Sequence, residues 1–367
     1  MGEGVSPFRA LLDEGARRSG FGFVPGRDFS MVNTFFWRRA ALAGTVLGAT
    51  FTIPTMASAQ QLTGAGSTFI NPLMTRWVAA YGQATGVQIN YASVGSGAGI
   101  KQLTAGTVDF AASDAPLSAT DKSRLGKPVE QIPAIAGAVA VVTNGAPSGI
   151  KLSGPVLADI FSGRIRRWNA PQIAALNPGA RLPALPITVA HRSDGSGTTA
   201  IFTTFLSATS PTWKSTLGAG KTVSWPVGVG GKGNDGVAAA VKATPGSIGY
   251  VELAYALQNR IAFAAIRNRS GRFVTPSVGS ASAAARAAAG ETVRNIATPL
   301  VNQGGVAYPI VGYTYIMFPT ASKTTPRGRQ LVRFLNWAMG PGQSLAPALS
   351  YATLPRPVIA ANRARLK

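Results

Sequence analysis

Three short segments combine glycine with hydroxyl residues: Gly64–Phe69 (G-A-G-S-T-F), Gly95–Gly99 (G-S-G-A-G) and Asp194–Thr198 (D-G-S-G-T). Each follows an apolar run of strand type and precedes a helical spacing. A helix N-terminus offers unpaired backbone N–H groups and the positive end of a dipole. Glycine lets the backbone approach a ligand, and Ser and Thr add O–H donors. Such a turn suits an oxyanion. One alone reads more simply as an N-cap, because Ser and Thr cap helices routinely. Three in one chain, with Arg192 beside the last, point to anion binding, since Arg donates to oxyanions in a planar, bidentate way.

Asp114, in V-D-F-A-A-S-D-A-P-L (Val108–Leu117), is the odd member. On local sequence alone it reads equally well as a cap before Pro116. In an anion site its role is more specific. An ionised carboxylate only accepts hydrogen bonds, so it repels a bound anion unless that anion carries a proton. Phosphate near neutral pH keeps a donor O–H; sulfate has none. A buried Asp114 among donors would therefore reject sulfate through an unpaired, repelling acceptor.

The elements that must position these groups alternate as strand, turn and helix, which argues for an α/β fold. Leu73, Trp77, Val78 and Tyr81 predict a helix over 72–81. Residues 61–68 read as a short strand running into the turn Gly64–Thr68; strands are predicted over 87–93 and 108–113, and a short helix over 100–105. The uncharged run Ile132–Thr143 fits a central strand buried on both faces. Helices follow over 155–161 and 171–176. A strand over 187–190 runs into H-R-S-D-G-S-G-T and a helix over 199–207. Further expectations are strands over 223–227, 248–251 and 310–318, and helices over 234–242, 280–289, 327–339 and 355–365.

Composition removes whole classes of chemistry. The 367 residues include no Cys and one His, His191. Thiol catalysis, Cys-based metal centres, disulfides and a lipidated N-terminal Cys are excluded, as is a zincin helix with its two His. Lys plus Arg is 35 against 13 acids, a formal charge of +22. Nucleic-acid binders usually cluster such charge, whereas here only Gly163–Arg167 is dense, so no nucleic-acid partner is expected. A basic field also draws small anions toward a cleft.

Met31 offers a second start. Arg38 and Arg39 then form a positive region, Ala40–Ile53 an apolar one, and Ala57-Ser58-Ala59 a small-residue cleavage site. This predicts a signal peptide and a mature chain beginning near Gln60, exported by the general or the twin-arginine route. Residues 1–59 are read as an N-terminal extension plus that signal. They hold six basic and four acidic residues, which leaves 29 of the 35 and 9 of the 13. A soluble periplasmic protein is expected, neither lipidated nor membrane-spanning once mature.

Two other chemistries have partial signatures. Gly228–Gly233 matches G-x-G-x-x-G with Glu252 ending the next predicted strand, as in dinucleotide-binding turns. Pro226 interrupts the preceding strand, however, and no second half of such a fold is evident. His191, Asp194 and Ser196 are the residue types of a hydrolytic triad, but they share one turn, where a Ser–His–Asp relay could hardly form. No G-x-S-x-G elbow is present. No enzyme activity, cofactor or metal is expected.

Taken in order, G-A-G-S-T-F, Y-x-S-V-G-S-G-A-G-I-K-Q-L, V-D-F-A-A-S-D-A-P-L, R-S-D-G-S-G-T-T and G-V-G-G-K-G-N-D-G-V resemble the phosphate-binding proteins (PstS) of bacterial high-affinity phosphate ABC transporters. The likeness runs from about Leu62 to Pro355. It implies a two-lobed periplasmic-binding-protein fold of type II, with two crossover strands near Pro133 and Tyr308 and a ligand cleft between the lobes. Lobe 1 would comprise 60–133 plus 308–367, and lobe 2 would comprise 134–307. The family's phosphate contacts fall on Thr68, Phe69 (by backbone), Ser96, Asp114, Arg192, Ser196, Gly197 and Thr198. Asp194 stands where the family pairs an Asp with the binding Arg. The resemblance further implies a monomer that captures inorganic phosphate and delivers it to an inner-membrane ABC permease. Gly97-Ala98, where relatives often have Ser-Gly, and His191, at a position often Arg, depart from the pattern.

Overall fold

The computed structural model describes residues 61–367; the signal-peptide and start-site expectations lie outside the described residues. The first part of the chain runs β1 (Leu62–Gly66), α1 (Asn71–Thr85), β2 (Ile89–Ser93), α2 (Ser96–Ala105), β3 (Phe110–Ser113), α3 (Ala119–Leu125) and β4 (Val129–Thr143). The middle runs β5 (Lys151–Leu152), α4 (Gly154–Phe161), α5 (Pro171–Ala174), β6 (Thr188–Arg192), α6 (Gly197–Thr209), α7 (Pro211–Thr216), β7 (Val229–Gly231), α8 (Gly233–Ala243), β8 (Ser247–Glu252) and α9 (Leu253–Gln258). Short strands β9 (Ala262–Phe263), β10 (Ala265–Arg267) and β11 (Phe273–Val274) precede α10 (Val278–Ala287) and α11 (Ala289–Arg294). The chain ends with β12 (Val311–Pro319), α12 (Pro326–Ala338) and α13 (Arg356–Leu366). Among the described residues, no helix is long and apolar enough to cross a membrane.

One sheet carries the architecture, in the order β2-β1-β3-β12-β4-β8-β6-β7, with β9 also on β4. At one end β1 pairs in parallel with β2 and β3. At the other, β6 pairs in parallel with β7 and β8. The antiparallel strands β4 and β12 join these two ends. β4 changes partner along its length: Val129–Ala138 pairs with β12, and Val139–Thr143 with β8. Every β4 residue from Ile132 onward is buried, which is why the sequence there shows no polar alternation.

The helices follow local signals. Pro72 sits in the first turn of α1, Gly86 closes it in the left-handed region, and Leu73, Met74, Trp77 and Tyr81 form its buried face. Pro is tolerated there because the first-turn N–H has no helical partner. Ser196 caps α6 by accepting from the Thr199 N–H.

Two expectations are corrected. Residues 223–227 form no strand; the chain is irregular from α7 to β7. Pro226 has no N–H for a ladder, and Trp225 instead packs against His191, Trp213 and Tyr250. The Ala-rich segment predicted as one helix over 280–289 divides at Ala288 into α10 and α11.

Candidate functional site

The C-terminal ends of β1, β2 and β6 deliver the three turns, and that of β3 delivers Asp114, to one place, as expected for open α/β sheets. There the N-termini of α2 and α6 meet: the Gly97 N–H donates to the Gly195 carbonyl at 2.7 Å. The approach leaves no room for a side chain at Gly197 and little at Gly97. A Cβ at Gly197 would lie 2.6 Å from Asp114 atoms, and one at Gly97 would lie 3.1 Å from the Gly195 Cα. The Gly97 departure from the related motifs is thus a close-contact position.

Arg192 ends β6 and is 4% exposed. Its Nε and Nη2 donate to the two carboxylate oxygens of Asp194 at 2.7 and 2.6 Å, and its Nη1 donates to Thr198 Oγ1 at 3.2 Å. Of five guanidinium N–H groups, these three contacts leave two for a ligand. Burial raises the Asp194 carboxyl, but the bonds and charge of Arg192 outweigh it and hold the group below the usual carboxylate range. The Gly233 N–H adds a donor to Asp194 at 3.1 Å.

The hydroxyl groups follow one rule: each accepts from a protein N–H. Thr68 Oγ1 accepts from Asn234 N and Nδ2 at 3.2 and 2.8 Å. Ser96 Oγ accepts from the Gly197 and Asp114 N–H groups at 3.1 and 3.4 Å. Ser196 Oγ accepts from the Thr199 N–H at 3.0 Å. Thr198 Oγ1 accepts from Arg192 and from Asn234 Nδ2. A hydroxyl with its lone pairs occupied has its hydrogen left to give. The cluster therefore presents O–H and guanidinium donors, from side chains 4% exposed or less.

Asp114 is the acceptor in this cluster. Ser67 Oγ donates to both of its oxygens at 2.6 and 2.7 Å, and Thr314 Oγ1 to Oδ1 at 2.7 Å. Burial pushes its carboxyl up to about 6, against the lowering effect of Ser67, Thr314, the Arg192 charge and Ser96. Ser67 Oγ in turn accepts from the Phe69 N–H at 3.0 Å. Tyr255 and Tyr351 fix the neighbouring backbone by donating to the Thr68 and Phe69 carbonyls at 2.6 and 2.5 Å.

All eight expected contact residues and Asp194 thus lie in one hydrogen-bonded region. Three supporting residues were missed. Ser67 stands inside a recognised motif but beside the residue singled out. Asn234 follows the G-x-G-x-x-G segment, which packs beside the site and holds Asp194, Thr68 and Thr198 through Gly233 and Asn234. Thr314 lies on a strand with no local signal. The triad residue types serve other ends. His191 stacks on Trp225 with centroids 5.0 Å apart, Asp194 binds Arg192, and Ser196 caps α6. Burial lowers the His191 pKa, so at neutral pH this ring is uncharged where an Arg would add a cation.

Comparison with known proteins gives a concordant result. A profile of the PBP superfamily domain matches residues 53–341. A phosphate-binding protein PstS from Xylella fastidiosa is 45% identical over 299 residues, covering 80% of this chain and 82% of the relative. The Pasteurella multocida PstS is 43% identical over 333 residues, with 90% and 96% covered. The structure of a high-affinity periplasmic phosphate-binding protein bound with phosphate aligns with a TM-score of 0.66 at 26% identity, covering 83% of this chain and 93% of that one. The chain belongs to the PstS family of phosphate-binding proteins, and its fold is the two-lobed periplasmic-binding-protein fold of type II.

Proposed function

We propose that this protein captures inorganic phosphate in the periplasm and delivers it to an inner-membrane phosphate ABC permease, acting as a binding protein without catalysis. The observation that carries this reading is the donor arithmetic. Four hydroxyls that each already accept from a protein N–H, three of them twice, and two spare Arg192 N–H groups lie with one buried carboxylate. A tetrahedral anion that keeps a proton satisfies both kinds of partner. Thr68, Ser96, Ser196 and Thr198 donate O–H groups to it, Arg192 supplies the charge and Asp114 accepts the anion's own O–H; the Phe69 and Gly197 N–H groups, which here donate to Ser67 and Ser96 Oγ, turn to the anion or share themselves with it on binding.

Lobe 1 is assigned to 60–133 plus 308–367 and lobe 2 to 134–307, so that Thr68, Ser96 and Asp114 face Arg192–Thr198 across the cleft. The change of partner along β4 between Ala138 and Val139 supports a crossover in that strand. Phosphate held by both turns would favour the closed arrangement. Cleavage near Gln60 would give the exported form, which N-terminal sequencing of the periplasmic protein checks. The decisive experiment is calorimetric titration of phosphate-stripped protein with phosphate, arsenate and sulfate. Heat and saturation with phosphate and arsenate, and none with sulfate, are expected. Equal binding of sulfate would overturn the role given to Asp114.

A further inference from the structure

A second bridge joins the two sides of the proposed cleft, at a distance from the anion cluster. Lys221 Nζ donates to Asp121 Oδ2, between residues 100 apart in sequence. Their side chains are 19% and 14% exposed, so solvent screens the pair only in part.

Both ends are mounted on the anion-holding segments. The Lys221 carbonyl accepts the Ser196 N–H at 2.8 Å. Its neighbour Gly220 exchanges hydrogen bonds with Thr203 Oγ1 on α6. Lys221 is thereby fastened to the helix whose N-terminus carries Ser196, Gly197 and Thr198. Asp121 sits in the first turn of α3, seven residues after Asp114. A capping box with Ser118 orients it: Ser118 N and Oγ donate to Oδ2 at 3.0 and 2.7 Å, and the Asp121 N–H returns to Ser118 Oγ at 3.1 Å. Burial raises the Asp121 carboxyl, but Lys221 and Ser118 outweigh it and hold the group below its ordinary range, so it stays ionised at neutral pH. The pair stands on the rim of a cavity of about 440 Å3 whose walls include Gly97, Asp194 and Gly195, the residues where the two turns touch.

We propose that Asp121 and Lys221 form a cross-cleft latch that sets how long phosphate is retained. The inference rests on the phosphate-binding reading above. Neither side chain hydrogen-bonds to the anion cluster, which Lys221 meets only through its backbone carbonyl; both are positioning residues. Opening the cleft requires their ion pair to break, whereas an anion entering the open form meets the two partners apart. Loss of the latch therefore speeds release and leaves capture nearly unchanged, the usual division of effects when an interaction forms after encounter.

The test is a stopped-flow chase of radiolabelled phosphate from wild type, D121N, K221Q, K221R and the double variant D121N/K221Q. Release about five- to tenfold faster is expected for both neutralising variants, with association within about twofold of wild type, the scale of a partly screened ion pair. The double variant should release no faster than either single one, and K221R should retain slow release. If K221Q releases phosphate at the wild-type rate while D121N is faster, Asp121 acts only as the α3 cap and the latch is overturned. Wild-type release in both variants overturns it too and leaves the phosphate-binding reading standing. Failure of the wild type to bind phosphate overturns both.

Discussion

The two walls of the anion cluster are built in opposite ways. The Arg192–Thr198 wall is contiguous: one strand end, one turn and one helix N-terminus supply a cation, its carboxylate partner, two hydroxyls and a glycine. The facing wall is assembled from Thr68, Ser96 and Asp114 at three separate chain segments, with Thr314 reaching Asp114 from 200 residues away. The contiguous wall holds the attractive charge and gets its geometry from local structure. The assembled wall holds the carboxylate, and its protonation depends on remote donors. On the proposed reading, attraction is placed on one wall and discrimination on the other.

The strongest test of that division removes the cation. Arg192→Ala deletes charge-assisted bonds to the anion and leaves the half-buried Asp194 without its cation. Phosphate affinity should fall by about 2–5 kcal/mol, read by calorimetry. Unchanged affinity would place the anion elsewhere and erase the distinction between the walls.

Asp114→Asn should affect selectivity more than affinity. The amide carbonyl can still accept from phosphate, so affinity falls by only about 1 kcal/mol, the difference between a charged and a neutral hydrogen bond. Its N–H can turn toward sulfate, and sulfate binding should become detectable in competition titrations at fixed ionic strength. No gain of sulfate binding would remove the discriminating role from the assembled wall.

The wild type should show the same exchange with pH. Burial pushes the Asp114 carboxyl above the usual carboxylate range, up to about 6. Above that value it is ionised and only accepts. Below it the group is protonated and can donate. Sulfate competition should therefore be absent at pH 8 and grow as pH falls through about 6, and D114N should lose this pH dependence. The smallest effect belongs to Thr314→Val, which removes one donor that lowers the Asp114 pKa. The onset of sulfate competition should move to higher pH, with about 1 kcal/mol of stability lost for the hydrogen bond, read by denaturant unfolding.

The difference between the walls also explains what was legible in the sequence. Strand–turn–helix alternation, the buried run in β4 and the Gly–Ser turns all act over a few neighbouring residues, and the sequence pattern finds these elements with ends that differ by up to four residues, as at α1 and α2. The Arg192–Asp194 pair is two residues apart and is readable for the same reason. Ser67, Asn234 and Thr314 gain their roles from partners 47, 166 and 200 residues away, and no local pattern encodes such a meeting. The strand expected over 223–227 failed because β-branched and aromatic residues favour a strand wherever a pleated neighbour is on offer. Here the aromatic ring of Trp225 found a better surface on His191 and Tyr250.

The sheet order has a consequence in time. Of the described strands, β1, β2 and β3 are made first, yet β3 takes its inner neighbour from β12, near the end of the chain. Closing so long a loop costs little more than closing one half as long, because the entropy grows only logarithmically. In rate the penalty is larger, since non-local pairings form slowly. The N-terminal part therefore cannot complete its sheet until β12 has been made. The β12 pairing is therefore the step that joins the first-made strands to the rest of the sheet, and the part of the chain before it waits on the part made last.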